Sequence, residues 1–407
     1  MASPCLAPQS LLIFKENKKE GEFVVSVPVH GLCDEKFAAV REAFTQNLES
    51  GGDVGASFAH TVEGETVIDL WGGYSDEEKT AEWQENTIVN VFSTTKTMAA
   101  LTVLMLSDRG DIDLYAPVAR YWPEFAQNDK EEIAVRHVLS HSAGLPGIEE
   151  PVTQEDLYDH DKICTLLAAQ HPWWKPGSAS GYHALTQGYL LGEVVRRVTG
   201  KTLGTVFAEE IAGPLGADFY IGTPFEKDAQ VCRLIPPANP KHHWLLCDAP
   251  PDTTAGRVAK GPPCDANWAS TIPWRRAELP AGNGHGNARA VAEIHKILAN
   301  GGVAGGKRFM SEAGCKTVFE VQVEGVDKVM KMPQKFGMGF GLNGPETPLG
   351  PNPNTCAWGG WGGSFALIDM DAHTTTAFVM NQMMHRELAG PDPRVANLAG
   401  ALAASMG

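Results

Sequence analysis

Apolar residues recur at helical spacing in some stretches of this chain and alternate with polar ones in others, and the pattern outlines a mixed fold. Phe37, Val40, Phe44 and Leu48 share one face of a helix predicted over 34–48. Runs rich in small, β-branched and apolar residues over 54–61 and 65–71 flank Glu63-Gly64 and read as a β-hairpin. From residue 93 the signal turns helical. Met98, Leu101, Val103, Leu104, Met105 and Leu106 form an apolar stretch closed by Gly110, a residue suited to a helix C-cap. Helices are also predicted over 131–142, over 185–199 with a stop at Gly200, and from Ala288 through Val291, Ile294, Ile297 and Leu298 to Gly301-Gly302. Strands are predicted over 364–369 and 374–381 around a turn at Asp371-Ala372-His373, and a last helix over 394–406.

Strands near both ends with helices between them predict an α+β arrangement, in which one antiparallel sheet is built from the two ends of the chain and flanked by helices. The expected division is a discontinuous sheet domain, 1–92 with 275–407, and a mostly helical domain, 93–274, with the active site between them. Residues 236–280 are rich in Pro, Gly, Ala and Asp, with Trp244, Trp268 and Trp274 as apolar anchors. A loop region of that length, here 236–274 within the helical domain, reads as a substrate-facing rim. The polar run Lys15-Glu16-Asn17-Lys18-Lys19-Glu20 reads as a loosely attached leader.

Composition narrows the function classes. With 407 residues and 43% hydrophobic content the chain can bury a large core. A formal charge of -16 at pH 7 and the lack of a basic cluster argue against nucleic acid or an anionic membrane as partner. The first residues lack the charged start and sustained apolar core of a secretory signal, and no apolar run is long enough to span a bilayer, so a cytoplasmic location is expected. Eight cysteines occur without a C-x-x-C pair or zinc-type spacing, which reads as reduced structural thiols, with a Cys232–Cys247 disulfide left open. No cofactor or metal is expected. His137 and His141, four apart, form a possible metal face without a third ligand, and the better reading for both is structural.

The candidate chemistry lies in Val91-Phe92-Ser93-Thr94-Thr95-Lys96. Ser93 and Lys96 are three residues apart and share a helix face. A serine at a helix N-terminus has free backbone N–H groups and the positive dipole end beside it, both suited to a developing oxyanion, and a desolvated Lys96 tends toward the neutral, basic form. Taken alone, the pair has a second reading, in which Ser93 is only an N-cap and Lys96 a solvated first-turn lysine.

Three further segments bear on that choice: His137 to Pro146, Pro176-Gly177 leading to Gly181-Tyr182-His183-Ala184, and Trp358-Gly359-Gly360-Trp361-Gly362-Gly363-Ser364. Together with Ser93-Thr94-Thr95-Lys96, and in this order, they resemble the class C β-lactamase-like serine hydrolases, and most of all the family VIII carboxylesterases. The resemblance spans about residues 54 to 381 and implies a β-lactamase/transpeptidase-like fold. It implies Ser93 as nucleophile, Lys96 as proton acceptor or relay, and Tyr182 as companion base, its phenol acidified by Lys96. It also implies an oxyanion hole made of the Ser93 and Trp361 backbone N–H groups, with glycine at 359 and 360 letting that edge approach the substrate. Trp358 and Trp361 are expected as pocket walls, and Phe92 and His183, chain neighbours of Ser93 and Tyr182, complete the expected substrate-binding set.

Two departures set expectations for substrate. Where penicillin-recognising relatives carry the lysine of Lys-Thr-Gly this chain has Trp358, and where they carry an asparagine two residues after the tyrosine it has Ala184. Losing a charge-assisted contact costs about 1.5–3 kcal/mol, so β-lactam turnover is expected to be weak. The expected activity is hydrolysis of short to medium acyl esters, a small-molecule partner, through a Ser93 acyl-enzyme. The alternatives are acyl transfer from the same Ser-Lys-Tyr site and a non-catalytic binding protein that kept the fold.

Overall fold

The computed structural model describes residues 26–262, 264–384 and 392–406; the polar run 15–20 lies outside them. A nine-stranded antiparallel sheet dominates. Its strands are β1 (Val29–Cys33), β2 (Gly55–Val62), β3 (Glu65–Gly73), β4 (Val323–Val326), β5 (Pro333–Phe336), β6 (Gly341–Leu342), β7 (Thr355–Gly359), β8 (Phe365–Asp369) and β9 (Thr374–Met380), in the order β1-β3-β2-β9-β8-β7-β6-β5-β4. The two ends of the chain meet at the β2/β9 pair, where Val62 lies opposite Thr374 and Ala56 opposite Met380. The β2–β3 hairpin turns at Glu63 and Gly64, both with positive φ (51° and 83°), which matches the twist of the flanking strands.

The main helices are α1 (Ala38–Glu49), α2 (Thr95–Asp108), α3 (Val135–Leu139), α4 (His160–Ala169), α5 (Thr186–Thr199), α6 (Ala288–Ala299) and α7 (Pro393–Met406). Helix α6 lies against β2, β8 and β9, where Thr375 donates a hydrogen bond to the Ala292 carbonyl. Helix α7 packs on α1 and brings Arg394 over the ring of Phe378. Residues 375 and 378 of one strand point to opposite faces, so α6 and α7 cover opposite faces of the sheet. Helix α2 is buried from Thr95 to Leu106, on every side, and so is a core helix rather than an amphipathic surface one. It packs on α5.

The helix predicted over 131–142 is reduced to Val135–Leu139. Residues on its N-terminal side spend their backbone hydrogen bonds on another segment: Val118 N–H donates to the Ile133 carbonyl, and Val135 N–H to that of Ala116. On its C-terminal side His141 takes a left-handed φ of 57°, which no helix continues through. The Pro/Gly-rich region contains short helical turns, Pro240–His243, Thr254–Ala259, Ala266–Ser270 and Ile272–Arg276. Strand β1 and the three short strands β4–β6 add to the strands expected from the sequence. The seven described cysteines, Cys232 and Cys247 among them, are free thiols.

Candidate active site

Ser93 sits where the chain turns from a short strand into a helix. Phe92–Thr94 forms a single 3₁₀ turn that runs directly into α2. Phe92 has φ +42°, a strained conformation for a bulky residue that costs on the order of 1–3 kcal/mol and persists only where neighbours impose it. The neighbours are visible: Asn90 Oδ1 accepts from Phe92 N–H at 3.3 Å, Thr95 Oγ1 donates to the Phe92 carbonyl at 2.5 Å, and Val91 N–H donates to the Gly284 carbonyl at 2.9 Å. The result leaves Ser93 partly exposed between two buried residues.

Lys96, one turn on, is 1% exposed. Its Nζ donates to the carbonyls of Ala184 at 2.7 Å and Ala281 at 2.6 Å, and lies 3.2 Å from Ser93 Oγ. Burial holds its pKa well below the ordinary lysine value. A neutral amine has two N–H bonds and one lone pair. With both N–H bonds given to carbonyls, the lone pair is left for the Ser93 hydroxyl.

Tyr182 completes the cluster from the loop before α5. Its Oη is 2.5 Å from Ser93 Oγ, and Lys96 Nζ lies 4.9 Å from the centre of its ring. The phenol is not acidified as expected from the resemblance. Burial raises its pKa, outweighing the Ser93 hydroxyl; Trp358 Nε1 pulls the same way as that hydroxyl but lies outside hydrogen-bond geometry and has no partner among the described residues. A buried Lys96 that tends to neutrality supplies little positive charge to acidify its neighbour. Asp327, buried and far away in sequence, fixes the loop: one carboxylate oxygen accepts from Tyr182 N–H at 3.1 Å and from Val329 and Met330 N–H at 2.8 Å each. Sequence reading missed both Asp327 and the Ala281 carbonyl.

The end of β7 closes on the Ser93 segment. A Cβ at Gly360 would stand 2.1 Å from the Val91 carbonyl oxygen, so only glycine permits this approach. Ser364 ties the two segments together, donating to the Val91 carbonyl at 2.9 Å and lying 3.0 Å from Thr94 Oγ1. Among the described residues, neither the Ser93 nor the Trp361 backbone N–H is taken by another group. Trp361 packs on Phe92, ring centres 5.0 Å apart, and Trp358, half-buried, stands 5.7 Å from the Tyr182 ring. Gly359 is exposed at the strand end.

Two residues expected to touch substrate are placed otherwise. His183 is fully buried, with Nδ1 donating to the Gly181 carbonyl at 2.6 Å and Nε2 accepting from Leu145 N–H at 3.1 Å, so both ring nitrogens are committed inside the protein. Phe92 is buried against Trp361 and Trp274. His137 and His141 have separate partners: His137 Nδ1 accepts from Ala134 N–H, while His141 accepts from His183 N–H and stacks on Trp358. The Asn283–Gly286 turn braces the Ser93 segment, Gly284 receiving the Val91 hydrogen bond and donating to Thr95 Oγ1.

Beside Ala184 lies a small apolar pocket of about 50 Å³, lined among others by Ile148, Leu157, Leu245, Leu246, Val258 and Cys264. Leu245, Leu246 and Val258 pack against the same small cluster as Tyr182, Ala184 and Trp358, so the pocket shares its walls with the neighbourhood of Tyr182.

Comparison with known proteins bears on family and fold. The beta-lactamase family profile matches residues 40–401. The esterase/beta-lactamase LipL of Mycobacterium tuberculosis is 34% identical over 365 residues, covering 88% of this chain and 83% of that protein. The crystal structure of a family VIII carboxylesterase superposes with a TM-score of 0.85 at 42% identity, covering 93% of this chain and all of that one. A penicillin-binding protein homologue from Caulobacter crescentus superposes with a TM-score of 0.83 at 37% identity, over 93% of this chain and all of that one. With the fold, the match along nearly the whole chain and these likenesses together, the protein belongs to the beta-lactamase family and has its β-lactamase/transpeptidase-like fold.

Proposed function

We propose that this protein is a serine carboxylesterase that hydrolyses short to medium acyl esters of neutral alcohols through an acyl-enzyme on Ser93. The observation that carries the reading is the three-way contact at Ser93 Oγ, with Lys96 Nζ at 3.2 Å and Tyr182 Oη at 2.5 Å. Esterase names among the similar proteins, LipL and the family VIII carboxylesterase, support the same class.

In this reading the Lys96 lone pair takes the Ser93 proton as Oγ attacks the ester carbonyl, and the oxyanion forms against the Ser93 and Trp361 N–H groups. The Tyr182 phenol, kept protonated by burial, hands its proton to the departing alkoxide and is reprotonated from Lys96. Water then enters by the reverse path: the neutral Lys96 takes its proton, directly or as the Tyr182 hydroxyl accepts one proton and passes its own to Lys96, the acyl–Oγ bond breaks, and the proton returns from Lys96 to Ser93. The apolar lining of the pocket beside Ala184 supports an apolar acyl group over a charged one. Trp358 offers no cation to a substrate carboxylate, which supports neutral esters over penicillin-like acids.

The test is intact-protein mass spectrometry after brief exposure to p-nitrophenyl butyrate or an alkyl phosphonate. A mass increase equal to one acyl or phosphonyl group, mapped to Ser93 and absent in Ser93→Ala, is the expected result. Ester turnover that survives Ser93→Ala would sink the reading.

A further inference from the structure

The Trp361 N–H lies in a tight turn, Gly360–Gly363, and the orientation of that turn is set from the far side by the C-terminal helix. Arg394, in the first turn of α7, is buried. Its Nη2 donates to the Gly362 carbonyl at 2.8 Å, and its Nη1 to the Gln382 carbonyl at 2.8 Å. The guanidinium is itself held between two buried carboxylates, Asp53 at 2.7 Å and Asp392 at 2.8 Å. The fit is close: a Cβ at Gly363, where φ is +131°, would stand 2.3 Å from Arg394 Nη2. Met384 N–H also donates to the Gly362 carbonyl, at 3.0 Å, and Gly363 N–H closes the turn onto the Gly360 carbonyl at 3.2 Å.

Three charges in the interior are a poor device for stability, because desolvation consumes most of what their attraction gives back. One carboxylate oxygen of Asp53 has no partner at all among the described residues. What the cluster does achieve is directional: a planar donor fork, fixed by two carboxylates, is aimed at the carbonyl one residue past the Trp361 N–H. We infer that Arg394, held by Asp53 and Asp392, is a positioning residue for the oxyanion hole, acting through the Gly362 carbonyl on the direction of the Trp361 N–H. This rests on the Ser93–Trp361 reading of the site.

The experiment replaces the whole charged cluster so that no carboxylate is left buried alone. The variant is Asp53→Asn/Asp392→Asn/Arg394→Met, and Arg394→Lys, which keeps the charge but not the fork, is its companion. Each is measured for thermal midpoint, for kcat and KM on p-nitrophenyl butyrate, and for affinity toward an alkyl boronic acid, which becomes tetrahedral only on the serine. A folded variant should lose about 10- to 100-fold in kcat, short of the about 10²–10³-fold that deleting an oxyanion donor costs. Boronate affinity should fall by the same factor while KM stays nearly constant, a split that mere loosening of the fold does not give. A folded variant with unchanged kcat and boronate affinity overturns the role of Arg394 alone. A wild-type protein that turns over no ester and takes no boronate on Ser93 overturns the underlying reading and this inference with it.

Discussion

At the residue scale the site is a problem in counting donors and acceptors. Lys96 has three near neighbours, two of which are carbonyls that only accept, and burial disfavours its charged form, so its remaining position is the one that faces Ser93. Lys96→Ala should therefore lower kcat/KM for p-nitrophenyl esters by about 10²–10⁴-fold, and Tyr182→Phe should fall in the same range. Near-normal turnover in either would remove that residue from the proton path. The sign of the pH dependence follows as well. Lys96 can accept a proton only above its own pKa, so kcat/KM should rise with pH and level off well before 10.5, the ordinary lysine value from which burial lowers it. A profile still climbing at the ordinary lysine pKa would mean that Lys96 is charged at rest. The pair Ser93 and Lys96 was legible because helix geometry ties residues three apart; the partners that complete the site, Ala281 and Asp327, were not, because nothing local in an alanine carbonyl or a turn aspartate announces a contact made across the fold.

Elements carry the next set of expectations. The approach of β7 to the Ser93 segment depends on Gly360, and Gly360→Ala would press a methyl group into the Val91 carbonyl. That variant should stay folded yet lose most of its esterase activity, with a reduced rate of phosphonate labelling at Ser93. Full labelling would show that the strand can yield. In the Pro/Gly-rich region, Val258 lines the cavity beside Ala184, and Val258→Trp should shift chain-length preference toward acetate and away from longer acyl groups, read as the ratio of kcat/KM for acetyl and hexanoyl esters. An unchanged ratio would place the acyl chain elsewhere. Long periodic helices such as α2, α5 and α6 were plain in the sequence because each has a full apolar pattern and a glycine, or an asparagine–glycine pair, at its end. The helix expected over 131–142 failed because the residues before Val135 pair with 114–118 instead. Strands β5 and β6, four and two residues long with Pro333 and Gly341 in them, give too few alternations to read.

For the whole molecule the buried histidines set the acid limit. Burial lowers His60, His137, His285 and His295 to about 4 and His183 to about 3, with His141 also well below its ordinary value. The unfolded chain binds protons at these sites from about pH 6.5 downward, while the folded one does not until near 4. Stability from this source is complete above 6.5 and is lost as the pH falls toward 4. The thermal midpoint should accordingly drop between pH 7.5 and pH 5; equal midpoints would mean that these rings are protonated in place.

The central pairing of the sheet joins Ala56–Val62 to Thr374–Met380, some three hundred residues later. A ribosome has therefore made Ser93, Lys96 and Tyr182 long before the strand that completes the sheet emerges. Contacts this distant along a chain form slowly and late. The growing polypeptide carries Ser93 through most of synthesis without the edge that holds Trp361, so on the proposed reading its oxyanion hole is the last part of the site to be assembled.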